Sequence, residues 1–231
     1  MREFRFALRN TMPIFVTYLF IGIAFGVLMS DAGYGVWLST ASGFFIFAGS
    51  MQLVMVPMMA SGASLPAIAL MTLFINARHI FYGVGFVEKF RRMGRRGPYM
   101  ILALTDETYS VLCSARFPSE LDEDRASFYI ALLDHFYWVF GCFFGACAGQ
   151  LLPFDLRGIE FSATAFFVVV VVEQLRQHPS KLPFLSAVFF SALFLLLVGT
   201  EYFLIPTLTA CLAVLLLLRG PVSRKEGLAD G

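Results

Sequence analysis

Charge is scarce in this sequence. Only 14% of its 231 residues are Asp, Glu, Lys or Arg, against about 25% in a soluble domain, and no polar stretch is long enough for a separate soluble domain. The formal net charge of +1 gives no overall attraction to nucleic acid, so the placement of charges carries the information. Cysteine is also sparse. Cys113, Cys142, Cys147 and Cys211 lie in or beside apolar runs and form no C-x-x-C pair, which excludes a disulfide frame and a thiolate metal site and leaves four small apolar residues. There is no H-E-x-x-H and no serine or cysteine nucleophile motif. Nothing therefore points to an intramembrane enzyme, a metal or another cofactor.

What fills the chain is apolar. Hydrophobic residues make up 58%, Phe alone accounts for 27 positions, and the mean hydropathy is +0.76. A spanning helix needs about 20 apolar residues. The candidate segments are 12–29, 36–60, 65–87, 99–115, 127–151, 161–173, 183–199 and 203–218. The fold class is all-α: a polytopic membrane helical bundle of about 6–8 membrane segments, in one integral membrane domain over 1–219 with a flexible cytoplasmic tail at 220–231. Arg2, Arg5 and Arg9 precede the first run like a signal peptide, but Met12 to Met29 is long for a cleaved signal and is read as an uncleaved first span.

The basic segments set the orientation. The N-terminus, the loop at 88–98 (Lys89, Arg91, Arg92, Arg95, Arg96), the loop at 174–182 and the tail read as cytoplasmic. The acidic loop at 116–126 reads as external. Eight full crossings cannot satisfy this. If the segments near 36–60 and 161–175 are broken or re-entrant, every basic loop falls on the cytoplasmic side. The first carries Ala48-Gly49-Ser50 and Pro57, and the apolar part of the second has only about 13 residues. Phe44-Phe45 followed by Gln52-Leu53 repeats as Phe166-Phe167 followed by Gln174-Leu175. A G-x-x-x-G precedes each (Gly22/Gly26, Gly141/Gly145) and a Leu-Pro follows (Leu65-Pro66, Leu182-Pro183). With 12–29 running outward and 127–151 inward, the halves read as an inverted repeat, an architecture of many secondary transporters.

Asn76-Ala77-Arg78-His79 lies inside the 65–87 run. A charge at the centre of a membrane helix costs roughly 2.5–3.5 kcal/mol on insertion scales, and such residues face a protein interior or wet cavity and have a partner. At about 100° per residue, Thr72, Asn76, His79 and Gly83 share one face while Arg78 points elsewhere, which gives His79 a task separate from that of Arg78. The neighbouring 99–115 segment supplies Asp106 and Glu107 near its centre. Arg78 with Asp106 or Glu107 is the expected pair. The second carboxyl exceeds what one arginine neutralises and is a candidate proton site; simple charge balance is the plainer alternative. Asp134, with His135 beside it in 127–151, and Gln174 are weaker candidates; the plainer reading of the first two is an interfacial place facing water. Gln52 gains weight from Gly49 and Ser50, where backbone N–H groups at a half-helix N-terminus could hold a carboxylate. The glycines at 22, 26, 141, 145 and 149 read as close helix packing.

Phe47-Ala48-Gly49-Ser50-Met51-Gln52, Asn76-Ala77-Arg78-His79-Ile80-Phe81-Tyr82-Gly83 and Thr105-Asp106-Glu107-Thr108-Tyr109 resemble the motifs of the AzlC-type permeases, in order and spacing, over about Pro13 to Leu218. Ser50 departs from the pattern, where a small Ala is expected. The resemblance implies the large subunit of a two-component exporter of branched-chain amino acids (valine, leucine, isoleucine and sometimes methionine). It also implies a small membrane partner of the AzlD type and residence in the cell membrane. Phe44, Phe45, Phe74 and Phe81 could supply the apolar wall for such a substrate, and a proton handled by His79 or the spare carboxyl could drive it. The competing readings are a cation or other small-solute carrier that uses the intramembrane carboxylates, and a structural membrane subunit.

Overall fold

A computed structural model describes residues 1–151, 168, 171–172, 175–176, 181–199 and 203–218. The second irregular segment near 161–175 falls almost wholly outside them, as do Gln174 and the tail at 220–231. The described chain is helical, in two compact units, 1–163 and 164–231.

In the first unit, α1 (Arg2–Asp31) and α7 (Glu123–Leu151) are long and apolar enough to cross a membrane. They meet along a seam of small residues. Gly22 lies against Gly141, Gly26 against the backbone of Cys142, Gly145 and Ala146, and Ser30 against Gly149. Positions rise together along both helices, and Phe4 with Tyr129 and Thr11 with Tyr137 continue the series nearer the N-terminal ends. The helices are therefore parallel. This corrects the opposed directions expected for 12–29 and 127–151: the two G-x-x-x-G patterns pack on each other as one interface, not as copies facing opposite ways.

Between these helices the chain makes two broken hairpins and one long helix. α2 (Val36–Phe45) and α3 (Gly49–Ala60) are separated by Ile46-Phe47-Ala48, with Phe47 in the left-handed region at φ +42°. The expected break is thus present just before Gly49, while Pro57 stays within α3. α4 (Leu65–Arg92) follows after a short turn, with Pro66 in its first turn and Lys89, Arg91 and Arg92 in its last, favourable at a helix C-terminus. It bends by 64° between Leu65–Ile80 and Tyr82–Arg92, just beyond Arg78 and His79. After a 3₁₀ turn (Gly94–Arg96) come α5 (Gly97–Leu102) and α6 (Asp106–Ser114).

The 99–115 segment, expected as one continuous span, is therefore a second broken hairpin. Its interruption is Ala103-Leu104-Thr105. Thr105 is the N-cap of α6, its hydroxyl accepting from the Thr108 amide at 3.3 Å, and Asp106 and Glu107 occupy the first turn, where negative charge is favoured. The two carboxylates sit at a helix start, not at the centre of a span.

Contacts with α7 fix the depth of each hairpin. Arg96 lies over Phe128, Tyr99 reaches His135, Thr108 reaches Asp134, and Phe117 packs on Phe6. The α5–α6 hairpin thus enters from the face holding the N-terminus and returns to it. Ser39 reaches the Cys142 carbonyl, while Phe44 and Phe47 stack on His135, so α2 descends from the opposite face and α3 goes back. The acidic stretch at 122–124 shares the N-terminal face with the basic loop: Lys89 pairs with Glu123 at 2.7 Å and Arg92 with Asp124 at 4.0 Å. The expectation that 116–126 lies on the side opposite 88–98 is corrected by these pairs. Single cysteines at positions 3, 94 and 120 should accordingly be labelled by a membrane-impermeant thiol reagent from one side and a cysteine at 62 from the other. Labelling of 94 and 120 from opposite sides would overturn this topology.

In the second unit, α8 (Leu182–Val198) is apolar and, extended to Gly199, long enough to cross a membrane; α9 (Leu204–Leu217) packs against it, with the Thr207 hydroxyl donating to the Phe190 carbonyl at 3.3 Å.

Candidate functional site

The tips of the two hairpins meet at mid-depth between α1, α4 and α7, where the first turns of α3 and α6 are brought together by Arg78 of α4. One terminal nitrogen lies 2.8 Å from Asp106 Oδ2 and the other donates to the Ser50 hydroxyl at 3.0 Å. Of the two carboxylates offered by the sequence, Arg78 takes Asp106. His79 does not stand apart as its helix position suggested: its Nε2 is 3.7 Å from Asp106 Oδ1. Consecutive residues are only about 100° apart on a helix, and Asp106 lies between them. Two buried polar atoms here, Arg78 Nε and Asp106 Oδ1, make no hydrogen bond among the described residues.

Asn76 is half-buried on the same helix and makes no hydrogen bond among the described residues. Gly49 opens α3 with its Cα turned to Trp138; an added Cβ would lie 3.1 Å from the indole ring. Gln52 is wholly buried. Its Oε1 accepts from the Ala48 amide and the Trp138 indole, both at 3.1 Å, and its amide nitrogen donates to Ser42 at 3.4 Å. Gln52 thus braces the break between α2 and α3. Phe44 and Phe45 are exposed, Phe44 with one face on the His135 ring, and Phe74 is half-buried. The Phe81 side chain lies outside the described set.

Glu107 turns away from Arg78. It accepts from the Tyr18 hydroxyl at 2.7 Å, and that oxygen is also 2.6 Å from Thr105 Oγ1. Asp134 has no exposed surface and accepts from Thr108 at 3.0 Å, with Oδ1 unpartnered. His135 is held at both ring nitrogens, by Tyr99 of α5 and the Phe44 carbonyl of α2, each at 3.0 Å. Tyr18, Thr105, Thr108 and Trp138 are the residues that sequence reasoning did not select, whereas His135 was weighed beside Asp134. The N-cap pattern Thr105-Asp106-Glu107 was the available signal for two of them; no local pattern marks the others.

A groove of about 690 Å³ runs from this site toward the face with the N-terminus, lined by His79, Ile80, Gly83, Val87, Ile101 and Leu104, with Arg91 and Gly94 at its outer end. Among the described residues no group of three or more His, Cys, Asp or Glu side chains could hold a metal ion.

The profile of the AzlC protein family matches residues 13–152, which take in both hairpins and all of α4 and α7. The chain belongs to the AzlC protein family. It is 37% identical over 224 residues to the "Branched-chain amino acid transport protein AzlC" of Bacillus subtilis (strain 168), covering 96% of this chain and 88% of that relative. An uncharacterized membrane protein of Haemophilus influenzae is 38% identical over 199 residues, covering 86% and 82% of the two chains. "Inner membrane protein YgaZ" of Escherichia coli (strain K12) is 25% identical over 179 residues, covering 74% and 73%. No solved structure matches. This AzlC-family chain is a membrane protein, by its relatives and by its apolar helices.

Proposed function

We propose that this chain exports branched-chain amino acids (valine, leucine and isoleucine, with methionine as a further substrate) by proton-coupled secondary transport, together with a small membrane subunit of the AzlD type. A protein of the AzlC family is a transport protein, not an enzyme. The observation that carries the reading is the Arg78–Asp106 ion pair at the meeting of two half-helix N-termini, where Arg78 Nε and Asp106 Oδ1 keep unused hydrogen-bonding capacity. An amino acid is a zwitterion. Its carboxylate takes Arg78 and the free amides of Gly49 and Ser50; its ammonium takes Asp106; its branched side chain enters the apolar groove beside Ile80 and Leu104. Asn76 and His79 line the approach.

The same groove supports the direction. Arg2, Arg5, Arg9, Lys89 and Arg91 share the face on which it opens, and by the bias of basic residues that face is cytoplasmic. The N-terminus, and by the same rule the C-terminal tail, are cytoplasmic in this proposal, and the substrate loads from inside.

Counterflow of labelled valine, isoleucine and methionine in proteoliposomes, with and without the small subunit and a pH gradient, tests the proposal. Exchange of valine that an imposed pH gradient converts into net movement is the expected result. Uptake that follows a metal cation and ignores valine would replace it with the cation-carrier reading.

A further inference from the structure

Five oxygen-bearing groups form one unbroken line from α7 through α6 to α1 and back. Asp134 Oδ2 is 3.0 Å from Thr108 Oγ1, which is 3.2 Å from Thr105 Oγ1, which is 2.6 Å from the Tyr18 hydroxyl, which is 2.7 Å from Glu107 Oε2. Each separation is a hydrogen bond, and each hydrogen bond needs a proton of its own. The line has four bonds but only three hydroxyl protons. With Thr108 donating to Asp134, Thr105 to Thr108 and Tyr18 to Glu107, nothing is left between Tyr18 and Thr105, whose oxygens face each other at 2.6 Å. The missing proton can come only from a carboxyl group at one end.

We infer that Asp134 and Glu107 share a single proton along a wire made of Thr108, Thr105 and Tyr18. When Asp134 holds it, Asp134 donates to Thr108, Thr108 to Thr105, Thr105 to Tyr18 and Tyr18 to an ionised Glu107. When Glu107 holds it, every bond reverses. Passage from one state to the other breaks one O–H bond and forms one at each hydroxyl. It moves one proton in effect from Asp134 to Glu107 and leaves the pair with one negative charge throughout. The inference rests on the transport reading above and names the coupling site: Glu107 adjoins Asp106 in the first turn of α6, so its charge is felt where the substrate ammonium sits.

The surroundings agree with a shared proton. Among the described residues no Arg, Lys or His nitrogen lies within 4.0 Å of either carboxyl, and full ionisation would place two like charges without a cation at the two ends of one short line, where a single shared proton leaves one. The ionisable groups facing the line are few. α1 supplies Tyr18; α4 supplies Arg78, paired with Asp106, and His79, which lies against Asp106 and also feels the charge of Glu107; α5 supplies Tyr99, bonded to His135; α6 supplies Asp106, already paired with Arg78; α7 supplies His135 and Tyr137, the latter bonded to Thr11. α2 and α3 contain no ionisable side chain that could neutralise it.

Two measurements test the wire. In Thr108→Val the shape is kept and the line is cut, while the substrate groups are untouched. Accumulation of valine driven by a pH gradient should fall about tenfold or more, valine counterflow without net proton movement should persist, and Thr108→Ser should restore the driven transport. Driven accumulation equal to that of the parent in Thr108→Val would overturn the inference, whereas absence of valine counterflow in the parent protein would overturn the transport reading instead. The second measurement needs no substrate. The infrared difference between the parent and Asp134→Asn/Glu107→Gln at neutral pH should contain the carbonyl stretch of one protonated carboxylic acid; its absence would overturn the wire whatever the protein transports.

Discussion

Gly145→Ala is expected to be the most damaging single methyl addition among the described glycines. A Cβ at Gly145 would run into the Ile23 carbonyl oxygen and lie 2.6 Å from the Ile23 Cα. Both are backbone atoms of a helix, so no side chain can swing aside. The only relief is separation of α1 from α7, and that strips contact from Gly22, Gly26 and Gly141 along the same seam. Overpacking costs about 1–3 kcal/mol, occasionally more, and a site with rigid backbone on the far side belongs at the upper end. Gly85→Ala is the control: nothing lies within 4 Å of its Cβ, and an alanine in a helix interior is favoured by about 0.5–1 kcal/mol. Thermal unfolding in detergent should show a large fall in Tm for Gly145→Ala and none for Gly85→Ala. Equal values would remove the close seam, and with it the parallel pairing of α1 and α7.

Arg78→Ala is expected to abolish valine exchange to within measurement, a loss of about a hundredfold or more, because it removes the tie between the two hairpin tips and, in the proposed function, the substrate carboxylate's partner as well. Arg78→Lys should fail nearly as badly: a single ammonium cannot direct separate nitrogens to Ser50 and Asp106. Asp106→Asn keeps the shape and removes the charge. The Arg78 and Asp106 side chains are 35% and 32% exposed, so their coupling is reduced by screening. A double-mutant cycle on stability should give about 1–2 kcal/mol, with the double variant less damaged than the sum of the singles. Strict additivity would show that Arg78 and Asp106 act independently.

The sequence made the membrane class plain because scarcity of charge and long apolar runs depend on composition alone. It also located the first break, since Ala48-Gly49-Ser50 interrupts the apolar run, although Pro57, offered beside it, turned out to lie within α3. The second break was harder. Ala103-Leu104-Thr105 contains neither glycine nor proline, and its apolar flanks continue the hydropathy of a span without interruption. Only Thr105 followed by two acids marks a new helix, and inside an apolar run that pattern also reads as a buried charge cluster. Taking 99–115 as a crossing then put the acidic loop on the wrong side and reversed α7, so one missed cap propagated into the expected repeat. The pairing of Arg78 with a carboxylate of the next segment was legible because a buried charge needs a partner. The link from Tyr18 to Glu107 spans 89 positions, and no local pattern could announce it.

The hairpins also constrain how the protein is made. α5 has six residues and α2 ten, about 9 and 15 Å of helix, too short to enter a bilayer as independent spans. The polar backbone at their tips cannot rest against lipid. Their supports are His135 and Trp138 of α7, which leave the ribosome after both hairpins have been synthesised. The two hairpins must therefore wait near the membrane surface during translation. They can complete their entry only when α7 arrives and closes on α1, so a helix synthesised after both hairpins releases the insertion of the earlier segments.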